Sequence, residues 1–413
     1  MTASRDSRRV WRPRYLIYLA HLWLGLTSGL VVFIVGATGA LYVFEPEIKR
    51  LYLRDHYRVA PGGPSRPLPP SRLAEIGQRT LEPAVAALGP PSGRWLVVSG
   101  AEAAVVYHAF WDEGAGWYEV YIDGSRGDVL GVHDQQWDPL NVVLRLHRSL
   151  LLPESIGRWI VGIAVLVTVL MLATGLFLWF PRRPLTLVRP GALRPRLTIS
   201  WRHRFGRFNY DLHRVLGFYS FTAALVIALT GLVWSFEWMD RAVYWAATGG
   251  RTSAEPPPVR SGPSVPLADG GARPADRALV EVIRDAPRAA RYEVIFPARD
   301  DGAIQVCANP DAAGFYRIDC YWFDRYTGER RRVDRYQDKD RGEMLRAMNY
   351  DIHVGQILHL PGRLLACAAS LIVASLPLTG ALMWWRRGRT PGPFRSPPVP
   401  HPEPSPSRGE KER

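Results

Sequence analysis

The sequence predicts a mainly α-helical membrane protein, with four transmembrane helices built as two tandem repeats that each carry a small α+β extracytoplasmic domain. Three observations predict it: four long uncharged windows, an arginine excess gathered beside them, and an internal duplication. The averages conceal the first of these. Of the 413 residues, 47% are hydrophobic and 22% charged, and the mean hydropathy is −0.08, values typical of soluble chains. The apolar residues are nevertheless segregated into residues 15–44, 159–181, 215–236 and 364–385, none of which contains Asp, Glu, Lys or Arg. Each window exceeds the roughly 18 apolar residues that mark a membrane-spanning helix. A wholly soluble globule is excluded.

The charge pattern orients the spans. Formal net charge is +14, and all basic residues except Lys49, Lys339 and Lys411 are arginine. Arg5, Arg8, Arg9, Arg12 and Arg14 precede the first span, residues 182–207 hold eight Arg and no acid, and Arg386, Arg387 and Arg389 follow the fourth. By the positive-inside rule these segments share the cytoplasmic face. A nucleic-acid partner is not expected, because no recognition motif is present and the arginines sit where topology requires them.

The elements follow in order. Residues 1–14 form a cytoplasmic N-terminus. The first span, 15–44, is read as an uncleaved anchor, since its uncharged run far exceeds a signal-peptide core of about 7–15 residues. Residues 45–146 form the first extracytoplasmic domain, 147–181 a His-bearing segment and the second span, and 182–212 an Arg-rich loop. The third span is 213–236, the second extracytoplasmic domain 237–352, and the fourth His-bearing span 353–385. The Pro- and Ser-rich tail, 386–413, is expected to be disordered. In a bacterial inner membrane the face opposite the arginines is periplasmic. Each extracytoplasmic domain opens on a Pro-rich stretch (61–70 and 256–266) and contains a hairpin signature, around Asp123-Gly124 in one and Asp324 with Thr327-Gly328 in the other.

The duplication carries the chemistry. Aligning His21 with His213 brings Gly25 onto Gly217, Thr38-Gly39 onto Thr230-Gly231 and Phe44-Glu45 onto Phe236-Glu237. Aligning the second span with the fourth brings Gly157-Arg158 onto Gly362-Arg363, Thr174-Gly175 onto Thr379-Gly380 and Trp179 onto Trp384; one residue of slip brings His147 onto His353. Four of the ten histidines thus occupy equivalent places beside spans: His21 and His213 at the cytoplasmic ends, His147 and His353 on the opposite side. Ionisable residues next to hydrocarbon are functional candidates. Two imidazoles at matched depth on different helices suit axial ligation of haem iron, in the pairs His21/His213 and His147/His353, with Gly25 and Gly217 leaving room for the macrocycle. Zinc fits poorly, because pairs on opposite faces cannot complete a four-ligand site. The remaining His56, His108, His133, His203 and His401 show no partner pattern, and His359 is a candidate near-site residue. About 20 residues of core counted back from Arg182 end near Gly162. That count places His147 beyond the hydrocarbon edge, with Pro153 and Gly157 breaking the chain between.

These motifs resemble the PepSY-associated transmembrane helix family, which includes bacterial siderophore-iron reductases and related iron-regulated inner-membrane proteins. The resemblance rests on His21-Leu22-Trp23-Leu24-Gly25-Leu26 with Thr38-Gly39-Ala40-Leu41, and on Leu146-His147-Arg148-Ser149-Leu150-Leu151 running to Gly157-Arg158-Trp159. It continues in Asp211-Leu212-His213-Arg214-Val215-Leu216-Gly217 and in Asp351-Ile352-His353 with Leu360-Pro361-Gly362-Arg363. It implies PepSY-like periplasmic domains and a di-haem b protein that reduces ferric siderophores to Fe²⁺ at the periplasmic face. It also implies His21, His147, His213 and His353 as axial ligands of two haems b. His359 stands where the family pattern suggests Gly, which leaves its role open.

The expected partners are the lipid bilayer, a ferric siderophore or other periplasmic Fe³⁺ chelate, and an electron donor. No dinucleotide fingerprint or P-loop occurs, so the donor is another protein, a quinol or a small reductant. Trp111, Trp117, Trp137, Tyr321 and Trp322 are read first as strand packing or interface belt and second as substrate contacts. Cys307 and Cys320 can pair in an oxidising compartment, and Cys367 is read as packing. A haem-free regulatory or protease-modulating membrane protein is the alternative; a transporter is disfavoured by the lack of intramembrane acids.

Overall fold

The computed structural model of the chain describes residues 13–61, 67–100, 103–112, 115–181, 193–201, 204–253, 256–263 and 273–387. The N-terminal arginines before Pro13, residues 182–192 and 202–203 of the Arg-rich loop (His203 among them), and residues 388–413 of the tail, with His401 and the expected disorder, lie outside the described residues. Among the described residues eleven α-helices and eight strands follow one another. They are α1 (Pro13–Tyr42), α2 (Glu45–Tyr52), α3 (Pro70–Val85), β1 (Gly93–Ser99), β2 (Val105–Trp111), β3 (Gly116–Ile122), β4 (Val129–Asp134), α4 (Pro139–Ser149), α5 (Glu154–Trp179) and a one-turn α6 (Arg194–Leu197). The order continues with α7 (Phe205–Ser235), α8 (Glu237–Thr248), α9 (Pro274–Asp285), β5 (Arg291–Phe296), β6 (Ile304–Asn309), β7 (Asp319–Phe323), β8 (Arg330–Asp334), α10 (Arg341–His353) and α11 (His359–Arg387).

Among the described residues four helices are long and apolar enough to cross a membrane, and they contain the four uncharged windows almost entirely. A helix apolar on all sides needs lipid or protein around it. The α7 helix begins ten residues before its window, at Phe205. Charge ended the window without ending the helix, because Asp211 pairs with Arg207 and Arg214 on one helical face. At the fourth span Arg363 does the same, reaching back to the Val43 carbonyl and Glu47. The α1 helix packs on α5 and α11, and α7 packs on the same two, so α1 and α7 stand diagonally across the bundle. Arg14 donates to the Leu178 and Phe180 carbonyls at the end of α5, where an outgoing helix leaves acceptors open. Arg196 donates to Trp179 at the same end.

Outside the bundle the strands form one antiparallel sheet in the order β4-β3-β2-β1-β5-β6-β7-β8. The two strand sets expected as separate small domains are therefore joined through the β1–β5 pair, with Leu96 opposite Val294 at its centre. Joining them removes two inner edges that would each expose unpaired backbone groups. One face of the sheet is covered by α3 and α9, which bury Leu73, Leu81, Ala278 and Val282 against Leu96, Val120, Val306 and Phe323. The two outer hairpins turn alike. The Asp123 carboxylate accepts from the amides of Ser125 and Arg126, and that of Asp324 from Tyr326 and Thr327. Gly127 and Gly328 follow at positive φ, the conformation that favours glycine there.

The approach to α5 explains a bend. Asp138 caps α4 by accepting from the amides of Leu140 and Asn141. Leu150 and Leu151 then adopt positive φ (55° and 60°), which turns the chain back so that α4 packs beside α1 and α5. Gly157 lies under that turn; a Cβ there would stand 2.1 Å from the Ser149 carbonyl oxygen.

Candidate functional site

The bundle brings together the histidines in the pairs read from the duplication. The ring centres of His21 and His213 lie 6.4 Å apart at an interplanar angle of 89°, and those of His147 and His353 lie 6.3 Å apart at 69°. The reversal at Leu150 and Leu151 decides the second pair. It folds α4 back along α1, so that His147 reaches the Val35 carbonyl at 2.9 Å, seven residues inside the end of α1. The break in the chain expected between His147 and α5 takes the form of this left-handed turn, which carries the His147 ring back beside α1.

Every one of the four rings is held through Nδ1 by a threonine of a neighbouring element. The contacts are His21 with Thr174 at 2.9 Å, His213 with Thr379 at 2.8 Å, His147 with Thr38 at 3.2 Å and His353 with Thr230 at 2.9 Å. Each threonine hydroxyl also lies within hydrogen-bonding distance of a carbonyl one turn back in its own helix: Ile34, Leu170, Val226 and Leu376 for Thr38, Thr174, Thr230 and Thr379. A hydroxyl has one proton to donate. Spent on the carbonyl, it leaves oxygen lone pairs that accept from the imidazole. Nδ1 therefore carries the hydrogen, and Nε2 keeps the lone pair that binds a metal.

Beside each threonine a glycine lets the ring approach. A Cβ on Gly39 would stand 3.0 Å from Cε1 of His147, one on Gly175 3.2 Å from His21, one on Gly231 3.3 Å from His353 and one on Gly380 3.6 Å from His213. Gly25 and Gly217, expected to leave room for a macrocycle, lie beside Met171 and Leu376. The glycines that touch the imidazoles are those of the four Thr-Gly pairs. The duplication displayed those pairs, but a sequence does not say which ring lies across from them.

Could such pairs hold a metal? Among the described residues no group of three or more His, Cys, Asp or Glu could hold a bare ion. Two imidazoles suit iron whose other ligands come from a planar macrocycle. Two metal–imidazole bonds of about 2.0–2.1 Å, with about 1.1 Å from nitrogen to ring centre at each end, separate two ring centres by about 6.3 Å. The observed 6.3 and 6.4 Å fit that span. The first pair comes from the diagonal helices α1 and α7 and the second from α4 and α10, and both α1 and α7 serve both pairs, as His21 with Thr38 and His213 with Thr230. Seventeen residues separate the two positions on each helix, about 25 Å at 1.5 Å per residue.

Between the second pair and the sheet lies a cavity of about 200 Å³ lined in part by Tyr42, Glu45, Lys49, Glu119, Asp138 and Leu144. Tyr42 is one turn beyond Thr38 on α1, and Leu144 one turn before His147 on α4. Burial raises the Glu45 carboxyl, with Lys49 opposing. Lys49 and Glu119 form a buried ion pair at 3.0 Å, and the Tyr121 hydroxyl donates to the same carboxylate at 2.6 Å. Burial alone would raise Glu119, but His108, Lys49 and Tyr121 outweigh it and leave it below its ordinary value. His108 itself stacks on Trp95, and burial pushes it down to about 4. Rings run outward from His353: Trp234 against His353, Tyr350 against Trp234, and Phe315 against Tyr350.

Other expected residues fall elsewhere. Trp111 and Tyr321 belong to the sheet core, Trp117 lines the cavity, Trp137 is exposed, and Trp322 lies beneath the Arg332 guanidinium. His359 is exposed at the start of α11 with positive φ, the conformation for which the family pattern suggests Gly. Cys307 and Cys320 are bonded across β6 and β7, while Cys367 is a free thiol on α11. His133, for which the sequence showed no partner, lies 2.8 Å from Asp138, and Tyr52 donates to that carboxylate. Burial opposes them, yet these contacts and the two backbone amides hold Asp138 down at about 2.

Four spans, paired histidines near both ends of the bundle and a large extramembrane sheet define a multi-pass membrane protein with two facing imidazole sites. The model of the PepSY-associated TM region matches residues 18–387, and the chain belongs to that family. No curated protein matches it.

Proposed function

We propose that the chain is a di-haem b electron-transfer protein of the bacterial inner membrane, with His21/His213 and His147/His353 as the axial ligands of its two haems. The observation that carries this reading is the repetition of one arrangement four times: an imidazole locked at Nδ1 by a threonine, with Nε2 left to ligate, and a second imidazole at bis-ligation distance. When bound, haem supplies a one-electron Fe(III)/Fe(II) couple at each site. The chain holds the ligating rings in one tautomer through threonines of α1, α5, α7 and α11.

In this reading both termini are cytoplasmic, the duplicated strands and helices are tandem PepSY-like periplasmic units, and His147/His353 is the pair nearer the periplasm. The disulfide between Cys307 and Cys320 supports an oxidising compartment for the sheet. The acceptor is a ferric siderophore or another Fe³⁺ chelate. One electron converts Fe³⁺ to Fe²⁺, which hard oxygen donors hold far less tightly, so the metal loosens with no ligand bond cleaved within the chelator. The donor is another protein, a quinol or a small reductant.

The test is an absorption spectrum of the purified chain, followed by mixing dithionite-reduced protein with ferric hydroxamate and catecholate chelates. A Soret band with sharp reduced α-bands, lost with reoxidation by a chelate, is expected. Absence of a Soret band overturns the haem reading and favours a haem-free regulatory protein. Haem that no chelate reoxidises overturns the choice of acceptor.

A further inference from the structure

We propose that Thr38, Thr174, Thr230 and Thr379 are positioning residues that set the redox balance of the two sites through the histidine Nδ1 hydrogens, and that Thr174 has a larger individual effect than Thr38. The proposal rests on the haem reading above. An imidazole that donates from Nδ1–H to an oxygen gains basicity at Nε2, and a more basic ligand favours Fe(III). Replacing the acceptor oxygen with carbon must therefore move the site toward Fe(II).

The four threonines are not equal. His147 also donates to the Val35 carbonyl at 2.9 Å, shorter than its 3.2 Å contact with Thr38. That carbonyl belongs to the residue three positions before Thr38, so the His147 ring keeps an acceptor when its threonine is lost. For His21 the Thr174 hydroxyl is the single hydrogen-bond partner among the described residues, so its removal leaves Nδ1–H without one. The threonine also blocks the alternative tautomer. Only a ring with hydrogen on Nδ1 fits a hydroxyl whose own proton is committed to the Leu170 carbonyl.

The experiment is a potentiometric titration of the visible spectrum. It uses the full chain in detergent, with His147→Ala and His353→Ala present so that one haem site remains. Thr174→Val, which keeps the shape and deletes the oxygen, is expected to shift the Fe(III)/Fe(II) equilibrium about tenfold toward Fe(II), or about 59 mV upward for a one-electron couple. Thr174→Ser, which restores a hydroxyl, is expected to stay near the parent value. Thr174→Ala repeats the measurement if the valine variant does not accumulate. In the converse background, carrying His21→Ala and His213→Ala, Thr38→Val is expected to move the potential by less than half as much. A parent chain without a Soret band overturns the haem reading and this inference together. Normal haem content with Thr174→Val at the parent potential, or with Thr174→Ser shifted as far as Thr174→Val, overturns this inference alone.

Discussion

Gly39 lies directly against the imidazole of His147, and a Cβ at that position would stand 3.0 Å from Cε1. The equivalent clearance between Gly380 and His213 is 3.6 Å, ordinary van der Waals contact. The two alanine variants are therefore expected to differ. Gly39→Ala should displace the His147 ring and lower the haem content of that site, while Gly380→Ala should bind haem at close to the parent level. Reduced-minus-oxidised spectra normalised to protein measure both. Equal losses would show that clearance at the ring does not govern binding.

Two buried groups make stability depend on pH in separate windows. His108 titrates near 4 in the folded chain because burial disfavours its charged form. A lowered histidine pKa means that the unfolded state binds the proton first, so stability present above pH 6.5 is lost as the pH falls toward 4, on the order of 3 kcal/mol. Asp138 is held down at about 2, so its contribution, about 2 kcal/mol, is present above pH 4 and lost between 4 and 2. Thermal midpoints against pH should fall in both windows. His108→Gln should flatten the upper window and leave the lower one, and Asp138→Asn the reverse.

Lys49 and Glu119 are 8% and 4% exposed and bonded at 3.0 Å. Removing one partner strands a buried charge at a cost of about 3–5 kcal/mol, whereas replacing both with apolar residues is often close to neutral. Lys49→Met should lower the thermal midpoint sharply, and Lys49→Met with Glu119→Leu should recover much of it. A double variant as unstable as the single one would mean that the pair, rather than the stranded charge, supplies the stability.

Much of this was legible in the chain itself. The four windows mark the spans because lipid tolerates no scattered charge, and the duplication pairs His21 with His213 and His147 with His353 before any coordinates are known. What escaped depends on contacts between distant segments. The turn at Leu150 and Leu151 uses positive φ on leucine, which no composition rule anticipates, and it alone returns His147 to the bundle. The β1–β5 pairing joins strands roughly 200 positions apart in the numbering, beyond any local periodicity. The four Thr-Gly pairs were visible as repeats, yet their role required seeing a ring across from each. His133 and Asp138 are five residues apart, but only the strand-to-helix corner between β4 and α4 makes them partners.

The central claim is that two histidine pairs hold two haems, and the most direct test is haem stoichiometry by pyridine haemochrome across paired variants. Two haems are expected per parent chain, and one when His21 and His213 are both alanine. One is expected when His147 and His353 are both alanine, and none when all four are replaced. Parent protein without haem, or a quadruple variant that retains it, would overturn the assignment of these four histidines.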